Sequence, residues 1–331
     1  MMSTAYLAFE TGGTKLIAAV ADATGRLVAS RVLRRDPRNR AQHSLAMLIE
    51  AAGQLRAAHE ANDAVFTGIG FGYGGQVNRA QQCVLRNPHE DGWEDIDVRD
   101  ELKRAFGLPS VIENDCKLAA LAEACLGAGR GHRTVFYMTI GTGIGGGIVR
   151  EGHIVDFGDA GEAEIGHVVV VPQGGFACGC GNHGCLETVA SGPGLTHLAR
   201  KLARDHLATW PDDAIAQRAI HDERLTAADL FEAYAQGDVF ASEIVRVAAT
   251  FLAQVLAGVI QIVNPDAIVI GGGVGTSSER FIRLIAEQTR PLVMPSLRGR
   301  CRFVMSQLRE QVVTQGAALL AASTFGGDRN P

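Results

Sequence analysis

Val135-Phe-Tyr-Met-Thr-Ile140-Gly141-Thr142-Gly143-Ile-Gly-Gly-Gly147-Ile-Val149 is an apolar run, a glycine-rich turn and a second apolar run. The same order of residue types stands near the start of the chain as Tyr6-Leu-Ala-Phe-Glu10-Thr-Gly12-Gly13-Thr14-Lys15-Leu-Ile-Ala-Ala-Val20. Short apolar runs bounded by glycine read as strands. Working outward, the earlier copy continues through a turn near Gly25 into Leu27 to Leu33, and the later copy through Glu151-Gly152 into His153 to Val155. Each is a three-stranded meander. After the first come a helical pattern at about Arg40 to His59, a strand at Val65 to Phe71 and a short strand at Val111 to Glu113. An alanine-rich helix then opens at Asn114-Asp115 and stops near Gly127 to Gly129, where glycine terminates it. After the second, helices are expected at about Gly194 to His206, Thr226 to Gln236 and Phe240 to Val263. A buried strand, Ala267 to Ile270, runs into Gly271-Gly272-Gly273. A last helix at Val313 to Ala322 is expected to return to the first half. The repeat predicts two related α/β halves facing one another across a ligand cleft.

The length of 331 residues fits about two domains. An apolar share of 47% is enough for a real core, and 31 basic against 36 acidic residues, net -5, lacks the basic excess that phosphate-backbone binding needs. Nucleic acid is therefore not the expected partner. The most apolar stretch, Phe251 to Val263, is broken by Gln254, Gly258 and Gln261 and falls short of the ~20 residues of a membrane span. The first residues lack the basic and apolar regions of a secretory signal, so the reading is a soluble, cytoplasmic protein without a membrane partner. Seven cysteines is an odd count, and three of them crowd between Cys178 and Cys185, which suits a metal in a reducing compartment better than a disulfide framework.

A polyphosphate needs several backbone N–H groups, and residues without side chains let the backbone come close. Gly12-Gly13-Thr14-Lys15 meets this need and adds a hydroxyl and an ammonium; Gly141 to Gly147 offers a second cradle. Either loop alone reads more readily as a tight hairpin; their recurrence in repeated contexts reverses that and favours the ligand. The Walker pattern is absent. Gly141-x-Gly143-x-x-Gly146 matches the dinucleotide fingerprint, yet Ile148-Val149 continues as strand where that motif needs a helix. In Cys178-Gly-Cys180-Gly-Asn-His-Gly-Cys185, three thiols with His167 upstream make a soft, tetrahedral donor set for zinc. His183 is the competing fourth ligand, held less favourably in a tight glycine knuckle. With four protein ligands the ion is structural, and it orders Glu164 and Glu187, two carboxylates able to accept hydrogen bonds from a sugar or to stand as ordinary surface acids.

These residues together resemble the ROK family of bacterial-type sugar kinases, which includes glucokinases, fructokinases and N-acetylhexosamine kinases. The likeness covers nearly the whole chain. It runs through Gly12-Gly13-Thr14-Lys15, Glu113-Asn114-Asp115, Gly141 to Gly147, Glu164-Ile-Gly-His167, the Cys178 to Glu187 segment, Asn264-Pro265-Asp266, Gly271 to Gly273, and Gly316-Ala317-Ala318. The resemblance implies an α/β, actin-like and hexokinase-like (ribonuclease H-like) ATPase fold with two domains around a cleft. The first domain is expected at 1–116, completed by 313–331, and the second at 117–312 with the zinc segment. The activity implied is ATP-dependent phosphorylation of a hexose hydroxyl, on glucose, fructose or an N-acetylhexosamine. By similarity Asp115 is the general base. Gly75, Asn114, Asp115, Glu164, His167 and Glu187 bind the sugar. Gly12, Gly13, Thr14, Lys15, Thr142 and Gly143 meet the phosphates of ATP, with Gly272 and Gly273 at its ribose and adenine end. Helix capping is the non-catalytic reading of Asn114 and Asp115. Mg²⁺ accompanies the nucleotide, with Glu10 as a possible ligand. Family members are dimers or tetramers, so a homodimer or homotetramer is expected.

Three departures from the family pattern bear on specificity. Glu10 replaces the usual aspartate. Gly74 and Gln76 stand where prolines are usual, which loosens the loop and leaves Tyr73 and Gln76 to recognise a different sugar. The interval from His167 to Cys178 is one residue longer than usual, with a bulge expected near Gly174-Gly175. The alternatives to the kinase are a sugar-responsive repressor on the same core, disfavoured by the few residues before the first loop, and a non-catalytic, zinc-stabilised sugar-binding or regulatory protein.

Overall fold

The computed structural model describes residues 3–326 apart from 14, 37, 39, 86, 88, 89 and 159–162. Its first strand, β1 (Ser3–Thr11), buries every side chain from Ala5 onward, the signature of a strand covered on both faces. The chain turns at Gly12, whose N–H donates to Lys15 O (3.0 Å), and returns as the antiparallel β2 (Lys15–Asp22), followed by the edge strand β3 (Leu27–Arg34). Helix α1 (Ala41–Glu60) carries the chain back to β4 (Ala64–Tyr73), parallel to β1. A small ladder of β5 (Val77–Asn78) and β6 (Cys83–Val84) precedes α2 (Val98–Phe106), which is capped by Asp97 and closed by Gly107 at φ 67°. Strand β7 (Ser110–Asn114) leads directly into α3 (Asp115–Cys125).

The second pass repeats the first. It opens with β8 (Thr134–Ile140), β9 (Ile144–Arg150) and β10 (His153–Ile154). The helices α4 (Glu187–Ala190), α5 (Gly192–Thr209), α6 (Ala214–His221), α7 (Ala227–Ala235) and α8 (Val239–Val263) follow. Then come β11 (Ala267–Gly271), α9 (Gly272–Gly275), α10 (Glu279–Thr289), β12 (Arg302–Met305) and α11 (Val312–Phe325). The sheets order as β3-β2-β1-β4-β7 and β10-β9-β8-β11-β12. In both, the opening strand of the meander sits third and the two added strands lie beyond it, with β4, β7, β11 and β12 all joined in parallel. The repeated meander read from the sequence is present.

The chain divides into two compact units, Met1–Arg130 with Gly147–Glu162 and Leu308–Pro331, and Gly131–Gly146 with Ala163–Gln307. The boundary expected at residue 116 falls short, because α3 packs on α11: a Cβ added to Gly316 would stand 2.0 Å from Leu118 O. Such an approach locks the two helices together within the first unit.

The helix expected at about Phe240 to Val263 is present as α8, and over its full 25 residues, unlike the Phe251 to Val263 stretch alone, it is long and apolar enough by composition to cross a bilayer. Its side chains from Phe240 to Ile260 are largely buried inside the second unit, so it is that unit's core helix. Trp93 and Glu90, which follow β6 without regular structure, are both buried in the first unit. Trp93 meets Tyr73 edge-on at 5.5 Å and Phe71 at 6.0 Å, and its Nε1 donates to Glu90 Oε2 (2.8 Å).

Candidate active site and metal centre

Strand β7 ends at Asn114 and α3 begins at Asp115, so both side chains occupy a strand-to-helix junction. Asn114 Oδ1 accepts from the backbone N–H of Cys116 (3.0 Å) and Lys117 (3.3 Å), while its Nδ2 donates to Gly75 O (3.1 Å) and Asp115 Oδ1 (3.1 Å). An amide has two donors and two acceptor sites, so Asn114 is fully engaged as a helix cap and as a tie between the Gly75 loop and Asp115. Capping and positioning are here the same act. Asp115 is half-buried, and its Oδ1 also accepts from Cys116 N (2.8 Å). Beneath it Glu113 is buried and accepts from Arg79 Nε (2.6 Å) and Asn114 N (2.8 Å), with Lys117 Nζ at 4.0 Å. This cluster of charges fixes the turn that presents Asp115.

Gly74 completes the group. A Cβ there would lie 2.7 Å from Thr11 O and 3.7 Å from Asp115 Oδ2, and its N–H donates to Thr11 Oγ1 (3.2 Å). The glycine in place of proline therefore draws this loop against β1 and Asp115. Tyr73 does not face a ligand, as the sequence suggested: it is fully buried, its hydroxyl donates to Leu85 O (3.3 Å), and burial pushes its pKa up. Gln76 is exposed.

At the β1–β2 turn, Lys15 Nζ donates to Glu310 O (2.9 Å) and lies 3.6 Å from Glu10 Oε1. Glu10 Oε2 accepts from Thr314 Oγ1 (2.7 Å), and burial raises its pKa. An ammonium and a hydroxyl as partners do not fit direct Mg²⁺ ligation by Glu10; a hard cation wants oxygens, and Mg²⁺ commonly enters such sites on nucleotide phosphates and waters. Thr14 lies outside the described residues.

The turn between β8 and β9 is shorter than the sequence suggested. Only Gly141 to Gly143 form it, with Gly141 N donating to Gly143 O (2.9 Å) and Gly192 N to Gly141 O (2.8 Å). Gly145, Gly146 and Gly147 belong to β9 and serve packing: a Cβ on Gly146 would sit 2.9 Å from Ala163 O, and one on Gly147 2.7 Å from the Ala120 side chain. Thr142 is exposed, and a Cβ on Gly143 would stand 3.2 Å from Glu187 Oε2. Gly272 takes φ 80° at the start of α9, where a Cβ would meet Ile140 O at 2.4 Å; around Gly273 the space is open.

His167, Cys178, Cys180 and Cys185 bring four ligand atoms within 4.8 Å of one another. Cys180 Sγ and Cys185 Sγ are 3.7 Å apart, and Cys178 Sγ and His167 Nδ1 3.5 Å. A zinc tetrahedron with Zn–S of about 2.3 Å and Zn–N of about 2.0–2.1 Å has S–S edges of about 3.7 Å and S–N edges of about 3.5 Å. The donor set fits zinc. His183, the rival ligand, is exposed and pairs by its backbone with Ala177, outside the cluster. Glycines at φ 67° (Gly174), 97° (Gly181) and 74° (Gly184) bend the knuckle, the first at the expected bulge. The Asn182 backbone N–H holds Cys180 below the usual thiol range, while burial pushes Cys178 and Cys185 up. Glu187 Oε1 stands 3.0 Å from Cys178 Sγ and 3.7 Å from His167 Nδ1, so one carboxylate touches both the metal cluster and the Gly143 turn. Glu164 is exposed, at the start of the short turn that ends in His167.

The profile of the ROK family matches residues 6–324. The chain belongs to the ROK family. A glucokinase of Thermotoga maritima is 36% identical over 78% of this chain and 80% of its own length. Among solved structures, a ROK family glucokinase from Streptomyces griseus in complex with glucose and AMPPNP superposes with TM-score 0.77 at 30% identity, covering 96% of this chain and 99% of that one. A ROK family transcriptional regulator, a homologue of the Escherichia coli Mlc protein, superposes with TM-score 0.81 at 27% identity over 96% of this chain and 78% of its own. The fold class of this ROK protein is the actin-like, hexokinase-like ATPase fold expected from the sequence. The sequence reading overlooked Thr11, Arg35 and Arg79, whose only trace was a polar residue inside or beside an apolar strand, and assigned Glu113 to a motif without a role.

Proposed function

We propose that this ROK protein transfers the γ-phosphoryl group of ATP to a hydroxyl of a hexose, with glucose the first acceptor to test and Asp115 as general base. Its enzyme class is that of an ATP-dependent sugar kinase, in keeping with its ROK relatives. The observation that carries the reading is Asp115 itself: a half-buried carboxylate at the amino end of α3, steered by Asn114 and Cys116 and backed by the Glu113 cluster. A carboxylate so held orients a hydroxyl and takes its proton as the hydroxyl oxygen bonds to the γ-phosphorus and the bridging P–O bond breaks, releasing ADP.

Gly75, Glu164, His167 and Glu187 are the proposed sugar contacts, with Asn114 acting mainly through the loop and base that it joins. Gly12, Gly13, Thr14, Lys15, Thr142 and Gly143 would meet the phosphates, and Gly272 and Gly273 the nucleoside. His167, Cys178, Cys180 and Cys185 would hold zinc, which supplies structure rather than reactivity: it would fix the imidazole with Nδ1 engaged, leaving Nε2 for a hydroxyl, and keep Glu187 in place. A cytoplasmic location and a homodimer or homotetramer complete the proposal. The test is ADP release against a panel of hexoses, with the phosphorylated carbon identified by NMR. Hexose-dependent turnover with one phosphorylated product supports the reading. Hexose binding without turnover would transfer support to a non-catalytic sugar-binding or regulatory role.

A further inference from the structure

Arg35 stands just beyond β3, in the arginine-rich stretch from Arg31 to Arg40, yet its side chain is only 6% exposed. Burying a guanidinium is costly unless its donors and its charge are met. One donor is met in an informative place: Nε donates to Gly13 O (2.8 Å), inside the β1–β2 turn. The charge is met by buried Glu90, whose Oε1 lies 3.7 Å from Arg35 NH1. NH1 itself has no hydrogen-bond partner among the described residues and is out of contact with solvent. Glu90 is otherwise occupied, accepting from Ser44 Oγ of α1 (2.6 Å) and from Trp93 Nε1 (2.8 Å). Trp93 packs on Tyr73, the last residue of β4 before Gly74.

We infer that Arg35 is a positioning residue for the nucleotide: its buried guanidinium grips the Gly13 carbonyl and Glu90 anchors it, so that the glycine turn is set in its phosphate-binding shape before ATP arrives. The inference rests on the reading that this turn meets the phosphates. Its physical sense is that a turn chosen for glycine's freedom is loose by construction, and the donors that cradle an anion work best when already aimed. A buried ion pair here contributes geometry more than stability, since an apolar pair would pack as well. Arg35 is thus separate from Lys15, whose ammonium stays partly exposed beside Glu10.

The experiment is calorimetric titration of the full-length protein with AMPPNP, alongside the KM for the hexose and the melting temperature. Arg35→Gln is expected to weaken AMPPNP binding by about tenfold or more while the hexose KM stays within about twofold. Arg35→Lys, which keeps the charge but not the planar fork, should recover part of the loss. Adding Glu90→Gln to Arg35→Gln removes the stranded carboxylate; the melting temperature should rise while AMPPNP binding stays weak. If AMPPNP affinity instead follows the melting temperature through all the variants, or the hexose KM rises as much, Arg35 is a structural residue and the inference falls. Lys15→Ala separates the two levels. A loss with Lys15→Ala but none with Arg35→Gln overturns only the role of Arg35, whereas no loss with either removes the nucleotide from this turn.

Discussion

The two glycine turns occupy equivalent places in the two sheets and are held by opposite means. The β1–β2 turn is gripped by charged side chains: Arg35 on Gly13, and Lys15 between Glu10 and Glu310. The β8–β9 turn is held by backbone, through Gly192 N to Gly141 O, and borders Glu187, which lies against the cysteine knuckle. A repeated topology fixes where a turn stands and leaves open what stiffens it. One copy depends on charged side chains of its own unit, the other on backbone hydrogen bonds beside a cluster of sulfur and imidazole. Perturbations should therefore part the two sides.

The largest effect is expected from Asp115→Asn, which retains the side-chain shape and the acceptor for Cys116 N while losing the base. Turnover should fall by ~10² to 10⁴-fold with hexose binding retained; rapid-quench measurement of the chemical step checks it, and near-normal turnover removes Asp115 from the mechanism. Next is Cys180→Ser, which takes one corner from the tetrahedron. Metal analysis should show zinc lost, and the hexose KM should rise by about 10 to 100-fold as Glu187 and His167 lose their anchor, with AMPPNP affinity changing far less. Tight hexose binding by zinc-free protein would break the comparison. Gly74→Ala puts a methyl 2.7 Å from Thr11 O; the loop must retreat, and kcat/KM should drop by about tenfold as Asp115 is misaligned. Unaltered kinetics would mean that the close approach has no catalytic consequence.

The smallest effect concerns Glu10, whose pKa burial raises. A carboxyl with a raised folded pKa binds protons more readily in the native state than in the unfolded one. Its contribution is fully present below the ordinary carboxylate value and is lost as pH rises through the raised one. Glu10→Gln, which keeps an acceptor for Thr314, should flatten the decline of melting temperature across that window. An identical slope in both proteins would show that Glu10 does not carry it.

The repeated strand-turn-strand order was legible because apolar runs and glycine turns have a period that a single sequence displays. So was the grouping of four soft donor side chains, since Cys178, Cys180 and Cys185 are close in the chain and only His167 had to be brought in. The elements missed were short or one-sided. Strand β12 has four residues, too few to show an alternation, whereas α10 places Phe281, Ile282 and Ile285 on one face, a signal that was available. What the sequence hid were partners far apart in the chain. The pairings of Glu10 with Thr314, Arg35 with Glu90 and Arg79 with Glu113 cannot be seen in a one-dimensional reading, and the folded, buried arrangement alone reveals them. The extra glycines of β9 misled for a related reason: glycine marks close approach, and a neighbouring strand or helix requires it as readily as a phosphate does.

Helix α11 carries Gly316 against Leu118, and Ala317 O lies 1.9 Å from where a Cβ on Gly70 would be. The core of the first unit is therefore sealed by residues that leave the ribosome long after the strands and helix they cover. At about 5–20 residues per second, roughly ten to forty seconds pass between synthesis of α3 and of α11. During that interval the apolar faces of β1, β4 and α3 lack their cover, while the second unit is free to mature, which makes the nascent first half a natural client for chaperones.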